Sequence, residues 1–305
     1  MSKIILAGLI NIETTVACEQ LPIQYTPIDY KFFGVETNIS GVGYNIAKAF
    51  KILGDDVELY SIIGRDIYKA AIKEELKKIN IDTSYLMDII ENTPQSVVLY
   101  DSEGKREIKL DLKNIQDSCY EFENLKSNID EADIVIPCNI NFARPLLKVA
   151  KEMGKTIASD VHVISDVNDE YNRDFMEYSD ILFFSNENIL GHEEEFIKEV
   201  ADKYDNEIIV VGLGKEGALM YLKQDKKIEK YPAIETRNIV STIGAGDALM
   251  ASFIHFYANG FTPQESIKKA ILFASYKIGE KGASNGFLSE EELLELDNKL
   301  DKGKY

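Results

Sequence analysis

Short apolar runs rich in branched side chains recur along the chain with helical patterns between them, and this alternation limits the fold more than any other feature. Runs at residues 4–6, 57–63, 134–136, 181–184 and 208–211 have the composition of strands covered on both faces, as in a parallel sheet. Between them Ile46, Phe50 and Leu53 share a helical face that stops at Gly54, and Ile72, Leu76 and Ile79 share another. Thr262-Pro263-Gln264-Glu265 and Ser289-Glu290-Glu291-Glu292 each set a carboxylate three residues after a hydroxyl, the capping box that opens a helix. The alternation predicts an α/β fold, a three-layer α/β/α sandwich with ligands near the C-terminal ends of its strands.

Two segments interrupt the pattern. Residues 14–37 carry prolines and aromatics with no helical period, and residues 96–110 read as a hairpin around Asp101-Ser102-Glu103-Gly104. Together they predict a small β-sheet lid set into a single domain spanning residues 1–305, of which residues 301–305 read as disordered. With 34 Lys and Arg against 52 Asp and Glu, the formal net charge of -18 excludes nucleic acid and anionic membrane as partners. Any phosphate ligand must therefore be held by local donors, such as N–H groups at a helix start. Cys18, Cys119 and Cys138 form no CxxC pair and suit a reducing compartment. Residues 4–10 are too few for a signal-peptide core, and no run approaches a membrane span, so a cytoplasmic location is expected.

The sharpest chemical signal is Ser241-Thr242-Ile243-Gly244-Ala245-Gly246-Asp247, followed by apolar residues at helical spacing. Small residues let a ligand approach the backbone, and the unpaired N–H groups of a helix start can stabilise a transferring phosphoryl group. A carboxylate at Asp247 could accept a proton from an attacking hydroxyl. On these residues alone, a glycine turn with Asp247 as a partner of the helix dipole accounts for the pattern equally well. Gly212-Leu213-Gly214-Lys215-Glu216-Gly217 satisfies GxGxxG, yet a strand pattern rather than a helix follows it, so a dinucleotide site is not built. No Walker A sequence occurs. His162, His192 and His255 are scattered and read as surface or structural residues. Arg106 and Lys109 in the hairpin either reach the substrate under a closed lid or line a solvated sheet edge.

Gly244-Ala245-Gly246-Asp247 at the start of a late helix resembles the second signature of the ribokinase-like (PfkB) carbohydrate kinases. Ser40-Gly41-Val42-Gly43-Tyr44-Asn45-Ile46-Ala47 is similar to the first signature, with Ser40 in place of its first glycine. Residues 8–13 resemble the family's first strand, whose final asparagine and aspartate grip sugar hydroxyls; here they are Asn11 and Glu13. The resemblance implies that Asp247 is the catalytic base, that residues 244–246 form the anion hole, and that Gly41, Gly43 and Asn45 contact the sugar. It also implies ATP as phosphate donor, bordered by Asn186, Gly214, Gly217, Thr242, Gly282 and Ala283. Mg2+ would screen the ATP phosphates, held through water by Asn186 and Glu187. Ser241 stands where the family has an aspartate that helps hold K+, and Ile189 stands at the glutamate of its NxxE element. Gly64-Arg65-Asp66 resembles a supporting turn.

The expected activity is ATP-dependent phosphorylation of a hydroxyl, a primary one, on a small sugar. A nucleoside is the alternative acceptor, with residues 41–47 and 111–115 leaning toward pseudouridine-kinase-like members. A sugar- or nucleotide-binding sensor without turnover is the alternative from another class, and a nicotinamide dehydrogenase a distant third. An exposed lid sheet would allow a homodimer.

Overall fold

The computed structural model describes residues 1–101 and 105–301. Residues 102–104, the centre of the expected hairpin turn, and residues 302–305 of the expected disordered tail lie outside the described residues. From the N-terminus the chain forms β1 (Lys3–Ala7), β2 (Asn11–Ala17), β3 (Val35–Ser40), α1 (Val42–Leu53), β4 (Asp56–Gly64), α2 (Tyr68–Lys78) and β5 (Leu86–Ile90). The hairpin β6 (Gln95–Tyr100) and β7 (Arg106–Asp111) follows. The chain then alternates α3 (Lys126–Glu131), β8 (Ile134–Pro137), α4 (Arg144–Glu152), β9 (Thr156–Val163), α5 (Arg173–Tyr178), β10 (Ile181–Ser185), α6 (Glu193–Lys203) and β11 (Ile208–Gly212). A meander of β12 (Ala218–Leu222) and β13 (Lys227–Tyr231) precedes α7 (Ala245–Ala258), α8 (Pro263–Lys277) and α9 (Glu290–Asp301).

The large sheet has the order β13-β12-β11-β10-β9-β8-β1-β4-β5. It is parallel from β11 to β5, while β12 and β13 fold back antiparallel. The two-residue period of each strand divides its side chains between two cores. Ile4, Leu6, Ile136, Phe183 and Val210 pack with α1, α7 and α8 on one face. Ile5, Ala7, Val135, Leu182 and Val211 pack with α4, α5 and α6 on the other. This is the three-layer α/β/α sandwich expected from the apolar runs. Both capping boxes form: the Glu265 N–H donates to Thr262 Oγ1 at 3.3 Å and the Glu292 N–H to Ser289 Oγ at 3.3 Å. Among the described residues no helix is long and apolar enough to cross a membrane.

The lid is a separate sheet in the order β3-β2-β6-β7. It forms from the two segments that interrupt the alternation, but it begins earlier than expected. Residues 8–13 do not end the first sheet strand; β1 stops at Ala7, and Asn11 and Glu13 are rungs of the lid strand β2, paired to Ser40 and Asn38. Gly8 marks the departure. A Cβ on Gly43 would lie 2.5 Å from the Gly8 carbonyl carbon, so the first turn of α1 rests directly on the backbone where the chain leaves the sheet. Gly41 has φ +103°, and a Cβ there would meet the Leu9 carbonyl oxygen at 2.5 Å. Both glycines, which were expected to contact the sugar, are required by this backbone crossing.

Apolar packing, ion pairs and hydrogen bonds seat the lid on the large domain. Val98 packs with Ile243 and Ala283. Lys281 pairs with Glu36 at 3.0 Å, and Arg106 donates to the Thr242 carbonyl at 3.3 Å. Gly43→Ala should destabilise the protein by about 1–3 kcal/mol or more, because the added methyl must push β1 and α1 apart. Urea unfolding measures this, and an unchanged midpoint would contradict the crossing.

Candidate active site

The start of α7 is shaped by a loop that only glycine can complete. Gly244 caps the helix in the left-handed region at φ +75°, and a Cβ there would lie 2.2 Å from the Ala283 carbonyl oxygen. The Ala245 N–H turns back to the Thr242 carbonyl at 3.2 Å. Gly246 and Asp247 then supply first-turn N–H groups with no carbonyl inside the helix to receive them. Of the expected donors at residues 244–246 the Ala245 amide is engaged, and Asp247 adds one beyond them. Gly246 is exposed, and a Cβ on it would meet nothing nearer than Asp160 Oδ2 at 3.9 Å. The positive end of the helix dipole faces open space at this point.

Asp247 lies on the first turn, buried to 9% exposure. Its Oδ2 accepts a hydrogen bond from Asn45 Nδ2 at 2.7 Å, and Ser40 Oγ donates to Asn45 Oδ1 at 3.3 Å. The Asn45 amide, which was expected to contact the sugar, holds the carboxylate. Burial pushes the Asp247 carboxyl up to about 6; the Asn45 hydrogen bond and the nearby Lys277 charge oppose the rise, and Asp160 adds to it. Glu13 is raised by burial and by the Asp247 charge. Asn11 Nδ2 donates to Ser96 Oγ at 3.0 Å. Glu13 Oε1 and Asn11 Oδ1 are buried without a hydrogen-bond partner among the described residues. Buried acceptors left unpaired in this way suit ligand hydroxyls.

On the opposite side of the α7 start, Thr242 accepts through its carbonyl from both Ala245 and Arg106. Glu187 is exposed and pairs with Arg106 at 3.3 Å. Asn186 donates to Glu193 Oε1 at 2.9 Å, while Ile189 is buried in the core. The carboxylate partner of Asn186 thus comes from the start of α6, seven positions along, and the apolar residue at 189 is explained by packing. Gly214 opens a single 3-10 turn at φ +57° with open space where a Cβ would be. Gly217 closes that turn against the Tyr231 carbonyl, which a Cβ would meet at 2.0 Å, so its glycine serves the chain itself. Lys109 pairs with Glu107 on the exposed edge strand β7, so of the two hairpin cations Arg106 is the one that reaches the large domain. His162 and His192 are exposed; His255 is buried and bonds Asp55 at 2.6 Å in a structural role.

Gly282 and Ala283 form the floor of the loop, where a lysine ammonium occupies the Gly282 carbonyl. Lys277 Nζ already donates to the Ile243 carbonyl and, at 2.8 Å, to the Gly282 carbonyl. Ser241 Oγ accepts from the Ile243 N–H at 3.4 Å. Among the described residues no cluster of three or more His, Cys, Asp or Glu could hold a metal alone. Sequence reading missed Lys277, Ser96, Asp160 and Glu193. For Lys277 a signal existed: it follows Ala270 and Phe273 on one helical face, a register otherwise filled by buried apolar residues.

A large, mostly parallel sheet, a small second sheet and a buried carboxylate beside a helix start together form a frame suited to phosphoryl transfer. The profile of the pfkB family of carbohydrate kinases matches residues 1–290. A ribokinase of Dictyostelium discoideum is 24% identical over 323 residues, covering 96% of this chain and 99% of that protein. The structure of a microbiome-derived acarbose kinase superposes with a TM-score of 0.86 at 22% identity, covering 97% of this chain and 98% of the other. The nucleoside kinase of Methanocaldococcus jannaschii superposes at 0.79 with 21% identity, covering 98% and 99%. The chain belongs to the pfkB family of carbohydrate kinases and transfers phosphate to a hydroxyl of a sugar or nucleoside.

A base must be ionised to accept a proton, and the Asp247 carboxyl is raised to about 6 by burial. With Asp247 as the base, the rate should fall about tenfold for each pH unit below that value and level off toward neutral pH. A pH profile of kcat/KM checks this, and an acid limb near 4 would contradict a buried base.

Proposed function

We propose that this chain uses ATP to phosphorylate a primary hydroxyl of a small sugar, with Asp247 as the base. The observation that carries the reading is the position of one buried carboxylate. Free helix-start N–H groups lie on one side of it, and the unpartnered oxygens of Asn11 and Glu13 accompany it within hydrogen-bonding chemistry of a diol. A sugar held by Asn11 and Glu13 presents one hydroxyl to Asp247. The carboxylate takes the hydroxyl proton as the oxygen attacks the γ-phosphorus, the bond from phosphorus to the bridging oxygen breaks, and ADP leaves. The N–H groups of Gly246 and Asp247 meet the charge that builds on the phosphoryl oxygens. Asn45 keeps the carboxylate aimed, and the seated lid keeps competing water out.

The donor nucleotide is bordered by Thr242, Gly214, Gly217, Asn186, Gly282 and Ala283. Magnesium, when bound, supplies charge neutralisation for the phosphates. Hard cations of this kind retain several waters, so Asn186 and the carboxylates of Glu187 and Glu193 would hold it through water. ATP chemistry and the free cysteines Cys18, Cys119 and Cys138 suit the cytoplasm. We also propose that the lid joins a second copy of the chain, because Tyr25, Tyr30, Phe32 and Phe33 stand 75–92% exposed on its outer loop.

Asp247→Asn should lower kcat on the order of 10²-fold or more with little change in the KM for ATP. Near-normal turnover would remove Asp247 as the base. A panel of free sugars and nucleosides, scored by ADP release and by the mass of the product, tests the acceptor: a phosphorylated sugar supports the reading, and a phosphorylated nucleoside replaces it. Light scattering should give a dimer that Phe32→Asp with Phe33→Asp converts to monomer; a monomeric parent chain would overturn the lid pairing.

A further inference from the structure

Lys277 ends α8 and is wholly buried. An ammonium removed from water is costly unless nearby groups compensate it. The usual reason for lysine in a last helical turn is the helix's own terminal carbonyls. Lys277 does something else. Its acceptors are the carbonyls of Ile243, 34 residues earlier, and Gly282, five residues later. These belong to the two loops that meet beneath the start of α7, one leading into Gly244 and the other into Ala283, whose carbonyl sits against Gly244. Burial lowers the ammonium to about 8, and the charges of Asp247 and Glu13 work to keep it protonated.

We propose that Lys277 is a built-in cation that takes the place of a bound monovalent ion. Its ammonium ties the residue 241–243 loop to the residue 281–284 loop, and so holds the first turn of α7 in the shape that presents Gly246 and Asp247 to a phosphoryl group. Main-chain carbonyls that converge on one point are the natural ligands of an ion such as potassium. Here a side chain supplies the same charge on a covalent tether. The serine at 241 fits this, since a site with a tethered cation needs no additional carboxylate to recruit one. Lys277 is a positioning residue, acting through the loop, and its role rests on the reading of residues 244–247 as the phosphoryl site.

The first test uses the unaltered protein. Its turnover in a tetramethylammonium buffer should be unchanged by added potassium or ammonium; activation by either ion would overturn the proposal. The second uses two variants. Lys277→Met keeps the packing and removes the charge, and kcat should fall on the order of 10²-fold with the acceptor KM little altered. Lys277→Ala leaves room beside the two carbonyls, so ammonium or potassium, but not tetramethylammonium, should restore part of kcat and raise its melting temperature. A folded alanine variant that neither salt rescues nor stabilises would overturn the proposal, as would a methionine variant with full activity. The melting temperature needs no turnover, so it judges the cation role even if no acceptor is phosphorylated, an outcome that would count against the kinase site and not against Lys277.

Discussion

One carboxylate kept from water beside the positive end of a helix governs the arrangement of this protein. Asp247 alone would be costly to bury ionised, and burial does raise its proton affinity. Three parts of the chain offset that cost from different directions. Asn45 on α1 donates to it, Lys277 on α8 brings a positive charge nearby, and the first turn of α7 supplies its own dipole. Each helper lies on a different helix, so the carboxylate is placed only when α1, α7 and α8 pack together on the same face of the sheet.

The same economy of backbone explains the glycines. Gly41, Gly43 and Gly244 each occupy a place where another stretch of main chain lies closer than a Cβ allows. Their role is to let β1, α1 and the residue 281–284 loop come together, and the site inherits its geometry from those crossings. The lid completes it from above: Glu13 and Asn11 belong to β2, Ser96 to β6, and Arg106 to β7. Its polar contacts to the large domain include exposed ones, from Glu36 and Arg106, and a buried one, from Ser40 to Asn45.

Much of the fold is legible because burial on both faces writes continuous apolar runs, and because caps such as Thr262 with Glu265 are local. The lid was legible as an interruption. The site was less so, since its meetings are set by packing between residues far apart in the chain. Asn45 and Asp247 touch across 202 positions, and nothing in either motif announces that the amide serves the acid. Glu193 takes up Asn186 from outside the spacing that the family pattern favours. Lys277 looks like an ordinary C-terminal lysine until tertiary structure closes two loops around it. The start of the lid was misjudged because Gly8 breaks the first strand through a backbone crossing with Gly43, a contact visible only in three dimensions.

The most direct measurement of the central claim is a crystal structure with ADP, an aluminium fluoride mimic of the transferring phosphoryl group, and the acceptor. The fluorides should accept hydrogen bonds from the N–H groups of Gly246 and Asp247, and the acceptor hydroxyl should donate a hydrogen bond to the Asp247 carboxylate. A mimic bound away from the start of α7, or an acceptor oxygen out of hydrogen-bond reach of Asp247, would contradict it.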